Sequence, residues 1–174
     1  MSTQPGVRPD PAFGLLELYD EALPHVYGYL VARCADRAVA EDLTAETFLA
    51  AVDAARKPDA PALSVPWLIG VARHKLADHW RREERRQRNL RALESEHEPA
   101  TDPWDAELDV MLAHDVLAAL GPHHRLALTL RYLDGLAVPE VAAHLDRTVH
   151  ATEALLVRAR TAFRKEYTRE EGRS

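Results

Sequence analysis

From Glu94 to Asp115 the chain carries eight acidic residues (Glu94, Glu96, Glu98, Asp102, Asp105, Glu107, Asp109 and Asp115) and no lysine or arginine. Helical periodicity disappears after Leu93 and returns near Trp104, with SEHEPATDP lying between. A segment of one charge sign with no apolar stripe has nothing to bury, so residues 93–106 are expected to form a flexible acidic linker. That segment divides 174 residues into two parts, and each must close a core of its own. An apolar content of 47% is enough for two compact cores and too high for a disordered chain.

Only seven glycines occur, and β-branched residues nowhere alternate with polar ones, so the elements are expected to be helices. Phe13, Leu16, Tyr19, Leu23, Val26, Tyr27 and Leu30 recur at helical spacing and predict a first helix with that inner face. Pro24 is expected to kink or interrupt it, because proline removes a backbone donor. A second helix is read over residues 38–56, with Leu43, Phe48 and Val52 inward. KPDAPALSVP is a loop, and a long helix follows from about Pro66, with Trp67, Leu68, Val71, Leu76 and Trp80 inward. Beyond the linker the pattern predicts a helix over 108–120, a break at Gly121-Pro122, a helix over 125–133, a turn at Asp134-Gly135 and two further helices. The expected fold is all-α: two small helical domains, an N-terminal helical bundle and a C-terminal helix-turn-helix.

The net charge of −6 argues against nucleic-acid binding until its distribution is considered. Residues 1–72 carry −5, residues 73–91 carry +5, residues 92–115 carry −8 and residues 116–174 carry +2. A concentrated basic helix can bind phosphate locally within an acidic chain. No apolar run approaches the ~20 residues of a membrane span. The N-terminal MSTQPGVRPDP lacks a signal peptide's apolar block, so a cytoplasmic protein without membrane insertion is expected. Cys34 is the only cysteine, which excludes an internal disulfide and is expected to pack inertly. His74 and His79 are five apart and His123-His124 are adjacent, so neither pair has zinc-hydrolase spacing. With no nucleophile–base pair and no glycine-rich phosphate loop, no catalytic residue, metal or cofactor is expected.

The last two predicted helices, PEVAAHL and VHATEALLVRARTAFRKEY, are joined by Asp146-Arg147-Thr148, which is helix-turn-helix spacing. Val141, Ala142 and Leu145 are expected to point inward, with Ala142 and Ala143 letting the second helix cross closely. Asp146 stands where a residue tolerant of left-handed geometry is wanted, and Thr148 is a plausible N-cap. Thr152, Leu156, Ala159 and Phe163 make one buried stripe, leaving His150, Glu153, Ala154, Val157 and Arg158 on the other side. The N-terminal part of such a second helix enters the major groove, and later basic residues meet phosphate. An ordinary helical hairpin with solvated charges has the same pattern.

Taken together, these residues resemble a bacterial sigma factor of the extracytoplasmic-function (ECF) type, a two-domain class of the sigma-70 superfamily. AEDLTAETFLAAV resembles the helix that docks on the β′ clamp of RNA polymerase, VPWLIGVARHKLADHWRREERR the helix that opens and reads the −10 element, and LAALGPHHRLALTLRYLDGLAVPEVAAHLDRTVHATEALLVRARTAFR the −35-binding domain. The resemblance covers roughly residues 12–168. It implies an alternative sigma factor, not an enzyme, that binds polymerase core through the β′ clamp and β subunit and engages promoter DNA and an anti-sigma factor. It implies a disordered N-terminus at 1–11, a docking and −10 domain at 12–92, a −35 domain at 107–168 and a tail at 169–174. Core binding would fall to Glu41, Asp42, Leu43 and Glu46. The −10 contacts would be Asp59, Ser64, Arg73, His74, Lys75, His79, Arg81 and Arg82. Trp67 and Trp80 could stack on bases, but aromatics at helical spacing are usually core, and Trp67 is expected to be structural. The −35 contacts would be Arg147, Thr148, His150, Glu153, Ala154, Val157 and Arg158.

Asp78 is expected to pair with a nearby arginine. The resemblance also places the acidic linker in the cationic interior and RNA-exit path of polymerase. The sequence departs from the family pattern at Ala45, often glutamine, at Ala137, often serine, and at Glu153, Ala154 and Leu155, often basic or hydroxyl residues. Glutamate can accept from cytosine N4 and alanine can meet a thymine methyl, so an unusual −35 sequence is expected. An exposed Leu155 would suit a protein partner. A free-standing helix-turn-helix regulator acting without core polymerase is the alternative, and it leaves the first two blocks unexplained.

Overall fold

The computed structural model describes residues 11–90 and 110–173. The expected linker and disordered N-terminus fall almost wholly outside these residues. The described chain is all-α: α1 (Pro11–Val31), α2 (Arg37–Ala55), α3 (Val65–Leu90), α4 (Val110–Ala119), α5 (Pro122–Leu128) running into a π-helical segment (Thr129–Leu133), α6 (Val138–Leu145) and α7 (Val149–Glu171). No strand occurs among the described residues, and none of their helices is long and apolar enough to cross a membrane. The chain forms two compact units, Met1–Leu76 and Ala77–Ser174, so the boundary falls inside α3.

In the first unit α1 packs on α2. The Asp36 side chain accepts from the Ala38 N–H at 2.9 Å and starts α2. Leu43, Thr44, Thr47, Phe48 and Ala51 are buried. Both threonines are satisfied locally, Thr44 donating to the Ala40 carbonyl and Thr47 to the Leu43 carbonyl, each at 2.7 Å. Cys34 is a buried free thiol.

Two expectations for α1 are revised: interruption at Pro24, one of the two outcomes expected there, and the inner face. The helix runs through Pro24 without interruption. Pro24 and Asp20 are exposed, so water can meet the carbonyl that proline leaves without a helical donor. The inner face is also rotated. Leu15, Ala22, Val26 and Leu30 are buried, whereas Leu16 and Tyr19 are exposed. Two apolar stripes lie side by side on α1: one is buried, and the other stays partly open, with its Tyr19 ring 4.7 Å from Phe48 of α2.

The second unit is organised around Arg125. Its side chain is nearly buried (8% exposed). Nε donates to the Leu117 carbonyl at 2.8 Å, and Nη2 donates to the carbonyls of Leu120, at 3.1 Å, and Ala118. These carbonyls lie at the C-terminal end of α4, where helical donors run out and positive charge is favoured; the Leu117 carbonyl also accepts from the Leu120 N–H at 3.3 Å. Val116, Leu120, Leu128, Ala159 and Phe163 form the adjacent apolar cluster. Gly121 precedes Pro122, which starts α5 at a position needing no N–H. Gly135, at φ +68°, ends the π-helical segment.

The helix-turn-helix closes as expected. Asp146 adopts left-handed geometry (φ 54°, ψ 48°). The Arg147 N–H donates to the Ala142 carbonyl at 3.0 Å, and Asp146 N–H to Ala143 at 3.3 Å, a Schellman closure. Thr148 Oγ1 accepts from the Ala151 N–H at 3.2 Å and caps α7. Ala137 offers no side-chain acceptor, yet its own N–H is met by Glu140 Oε2 at 2.8 Å, half of a capping box. Ala142 is buried at the α6–α7 contact but Ala143 is exposed, so one small residue makes the crossing.

Replacing Arg125 by alanine should remove about 3 kcal/mol from the unfolding free energy of the second unit, since several carbonyls lose a charged donor. Lysine should recover less than half of that, lacking the guanidinium fork. Urea denaturation followed by circular dichroism measures both, and an unchanged midpoint for Arg125→Ala would contradict the assignment.

Candidate nucleic-acid interface

Along α2 the expected docking residues divide by exposure. Glu41 and Asp42 are exposed and Glu46 is half-buried. Leu43 is 2% exposed and belongs to the core, so it supports the acidic face from beneath instead of offering surface. The apolar surface beside the carboxylates comes from elsewhere. A groove of about 540 Å³ is lined by Tyr19, Leu23, Tyr27, Glu41, Ala45 and Phe48 among others. A second, of about 470 Å³, is lined by Leu16, Tyr19, Ala45, Phe48 and Leu49 among others. Tyr19, Ala45 and Phe48 line both, with the Tyr19 and Phe48 ring centroids 4.7 Å apart. Glu41 pairs with Arg37 at 2.9 Å and Glu46 with Lys75 at 3.6 Å. Asp42 is the one of these three carboxylates with no ion-pair partner among the described residues.

Ser64 precedes the long helix α3, and its Oγ accepts from the Trp67 N–H at 3.3 Å. Ser64 therefore has a capping role that the sequence reading did not give it, while Asp59 stands exposed in the preceding loop. Within the first unit His74 is exposed, Arg73 is half-buried and Lys75 is held by Glu46. Within the second, Arg81 pairs with Asp78, as expected for that carboxylate. Arg82 is exposed, and His79 meets Trp80 edge-on at 4.9 Å. Trp80 is 7% exposed. The Arg125 guanidinium carbon lies 4.5 Å from its ring centroid, a cation–π contact. Base stacking by Trp80 is therefore closed in this arrangement.

On α7 the buried stripe of Thr152, Leu156, Ala159 and Phe163 is as expected. Leu155 corrects the reading of the opposite face: at 1% exposure it is core, because it stands three residues after Thr152 and four before Ala159. The exposed apolar side chains of the unit include Met111, Tyr132, Leu133 and Val149 instead. Of the expected −35 set, Thr148, His150 and Glu153 are exposed and Ala154, Val157 and Arg158 are half-buried. Thr148 also keeps its hydroxyl on the cap. Arg147 Nη2 lies 3.5 Å from Glu84 Oε1.

Two parts of the chain match known family models: Sigma-70 region 2 over residues 18–86 and Sigma-70, region 4 over residues 111–163. The chain is 34% identical to the ECF RNA polymerase sigma factor BldN of Streptomyces coelicolor over 154 residues, covering 85% of this chain and 57% of BldN. It is 33% identical to the ECF RNA polymerase sigma factor SigC of Mycobacterium tuberculosis over 149 residues, covering 85% of this chain and 80% of SigC. Its fold is similar to the sigma factor RpoE of Bartonella quintana, solved with the anti-sigma factor NepR, with a TM-score of 0.54 at 17% identity, covering 89% of this chain and 97% of RpoE. The chain belongs to the sigma-70 family of RNA polymerase sigma factors. Within it, the chain is a member of the ECF group, whose proteins are DNA-binding regulators of transcription initiation.

Glu84, Arg125 and His124 were not singled out by sequence reasoning. Arg125 carries a signal, since it is a lone charge inside the apolar run LGPHHRLALTL. Glu84 carries none, because its partner Arg147 is far away in sequence. His124 is held down to about 4 from its ordinary 6.5, first by burial and then by the neighbouring charges of His123 and Arg158, with Glu84 opposing. The folded state thus binds its proton less readily than the unfolded chain, so stability is lost as pH falls from 6.5 towards 4. His124→Gln should therefore gain stability relative to the parent chain across that window in urea titrations. Parallel pH profiles for the two proteins would contradict this.

Proposed function

We propose that the chain is an alternative sigma factor that binds RNA polymerase core and directs promoter-specific initiation in the cytoplasm, without enzymatic activity of its own. The observation that carries this reading is the presence in one chain of both sigma regions, residues 18–86 and 111–163. Residues 12–92 dock on the β′ clamp and melt the −10 element, residues 107–168 read the −35 duplex beside the β subunit, and residues 93–106 tether the two within the cationic interior of polymerase.

The docking surface combines the exposed carboxylates Glu41 and Asp42 with the apolar grooves around Tyr19 and Phe48. Charge selects a basic partner and speeds encounter, while the grooves take its apolar side chains. An anti-sigma factor competing for this acidic and apolar surface would silence the chain by occlusion. Arg73, His74, Arg81 and Arg82 provide the cationic side of α3 that follows the backbone of opened DNA. Asp59, Ser64, Lys75 and His79 complete the proposed −10 set. At the −35 element, the α7 N-terminus and Arg147 hold phosphates, and Glu153 and Ala154 face base edges. Glutamate there favours cytosine over a phosphate-rich nonspecific contact, which makes base preference stricter and overall affinity lower.

Asp42→Lys should weaken core binding about tenfold, since it reverses the carboxylate least engaged within the chain. Glu41→Lys should cost less, and Asp53→Lys, an exposed reversal on the same helix, should be close to neutral. Fluorescence titration of labelled chain with core polymerase, joined to run-off transcription, measures both steps. Equal effects at Asp42 and Asp53 would overturn the docking assignment. Sequence-specific operator binding without any core association would favour a free-standing regulator.

A further inference from the structure

In the run RREERRQR, Glu84 is unlike its neighbours: its side chain is only 14% exposed. It pairs with Arg88 on its own helix. Its Oε1 also lies 3.5 Å from Arg147 Nη2 in the turn between α6 and α7, and 3.7 Å from His123 Nδ1 on α5. One turn earlier on α3, Trp80 is covered by the Arg125 guanidinium. The second half of α3 is thus seated on the helix-turn-helix unit by one carboxylate and one aromatic ring. The carboxylate occupies the arginine expected to hold a DNA phosphate.

We propose that Glu84 is an internal stand-in for DNA phosphate, and that its contact with Arg147 holds the free chain in a form refractory to duplex DNA. A carboxylate and a phosphate oxygen offer a guanidinium the same acceptor chemistry, so the two compete for Arg147. Binding to duplex must displace Glu84, and the free chain's affinity is lowered by the fraction of molecules in which the contact is closed. The proposal rests on the reading of α6 and α7 as a −35 reader.

The test uses the full chain without polymerase and a fluorescently labelled duplex taken from a promoter on which the holoenzyme initiates. Glu84→Gln should bind it roughly three- to tenfold more tightly than the parent chain by anisotropy, the range of one partly screened ion pair. The control is Glu83→Gln, which makes the same change of charge one residue away, where Glu83 faces Arg86 and Gln87. In an Arg147→Ala background the gain from Glu84→Gln should vanish, since the competing pair no longer exists. Equal affinities for Glu84→Gln and Glu83→Gln overturn the proposal, including the case in which neither binds measurably. A gain that survives Arg147→Ala overturns it as well. The −35 reading fails separately, if Arg147→Ala leaves promoter use by the holoenzyme unchanged. Glu84→Ala with an unaltered thermal melt keeps the comparison open should the glutamine variant fold poorly.

Discussion

The second unit depends on one buried guanidinium. Arg125 closes the C-terminal end of α4, fixes the start of α5 against it and lies over the ring of Trp80. A buried charge is tolerated only when its donors are met, and here helix-end carbonyls and a π face meet them together. The platform on which the helix-turn-helix rests follows from that arrangement. Without it, the Ala118 and Leu120 carbonyls would lose their charged donor beside the apolar cluster of Val116, Leu128 and Phe163.

Much of this was legible from the sequence where a single stripe or a backbone requirement decides. The α7 stripe, the left-handed Asp146, the Thr148 cap, the Gly121-Pro122 break and the Asp78–Arg81 pair each rest on local chemistry. Misreadings arose where two faces compete. On α1 the pattern contains Leu15 with Ala22 and also Leu16 with Tyr19, and the helical period alone does not say which is buried. On α7 the buried stripe is wider than one residue, so Leu155 joins it. Pro24 was expected to kink or interrupt α1, and the helix continues through it on an exposed side where water can meet the freed carbonyl. The contacts of Trp80 and Glu84 join segments far apart in sequence, and no local period reports them.

The same chemistry links the segregated charges to function. In the proposed function, the acidic residues of α2 beside the apolar grooves meet a basic protein surface, and the arginines of α3 meet nucleic acid. Family membership accounts for both in one protein, since a sigma factor must hold a polymerase and a promoter at once. Self-association of opposite charges is the corresponding hazard, and Glu84 against Arg147 is its visible instance.

In the proposed function, promoter recognition and melting belong to the chain together with core polymerase. Permanganate footprinting on a supercoiled promoter template tests it most directly, because it reads unpaired thymines. With chain and core together, reactive thymines are predicted at the −10 element, and neither component alone should produce them. Reactivity from core alone, or protection of the −35 element by the chain with no opening when core is added, would contradict the account.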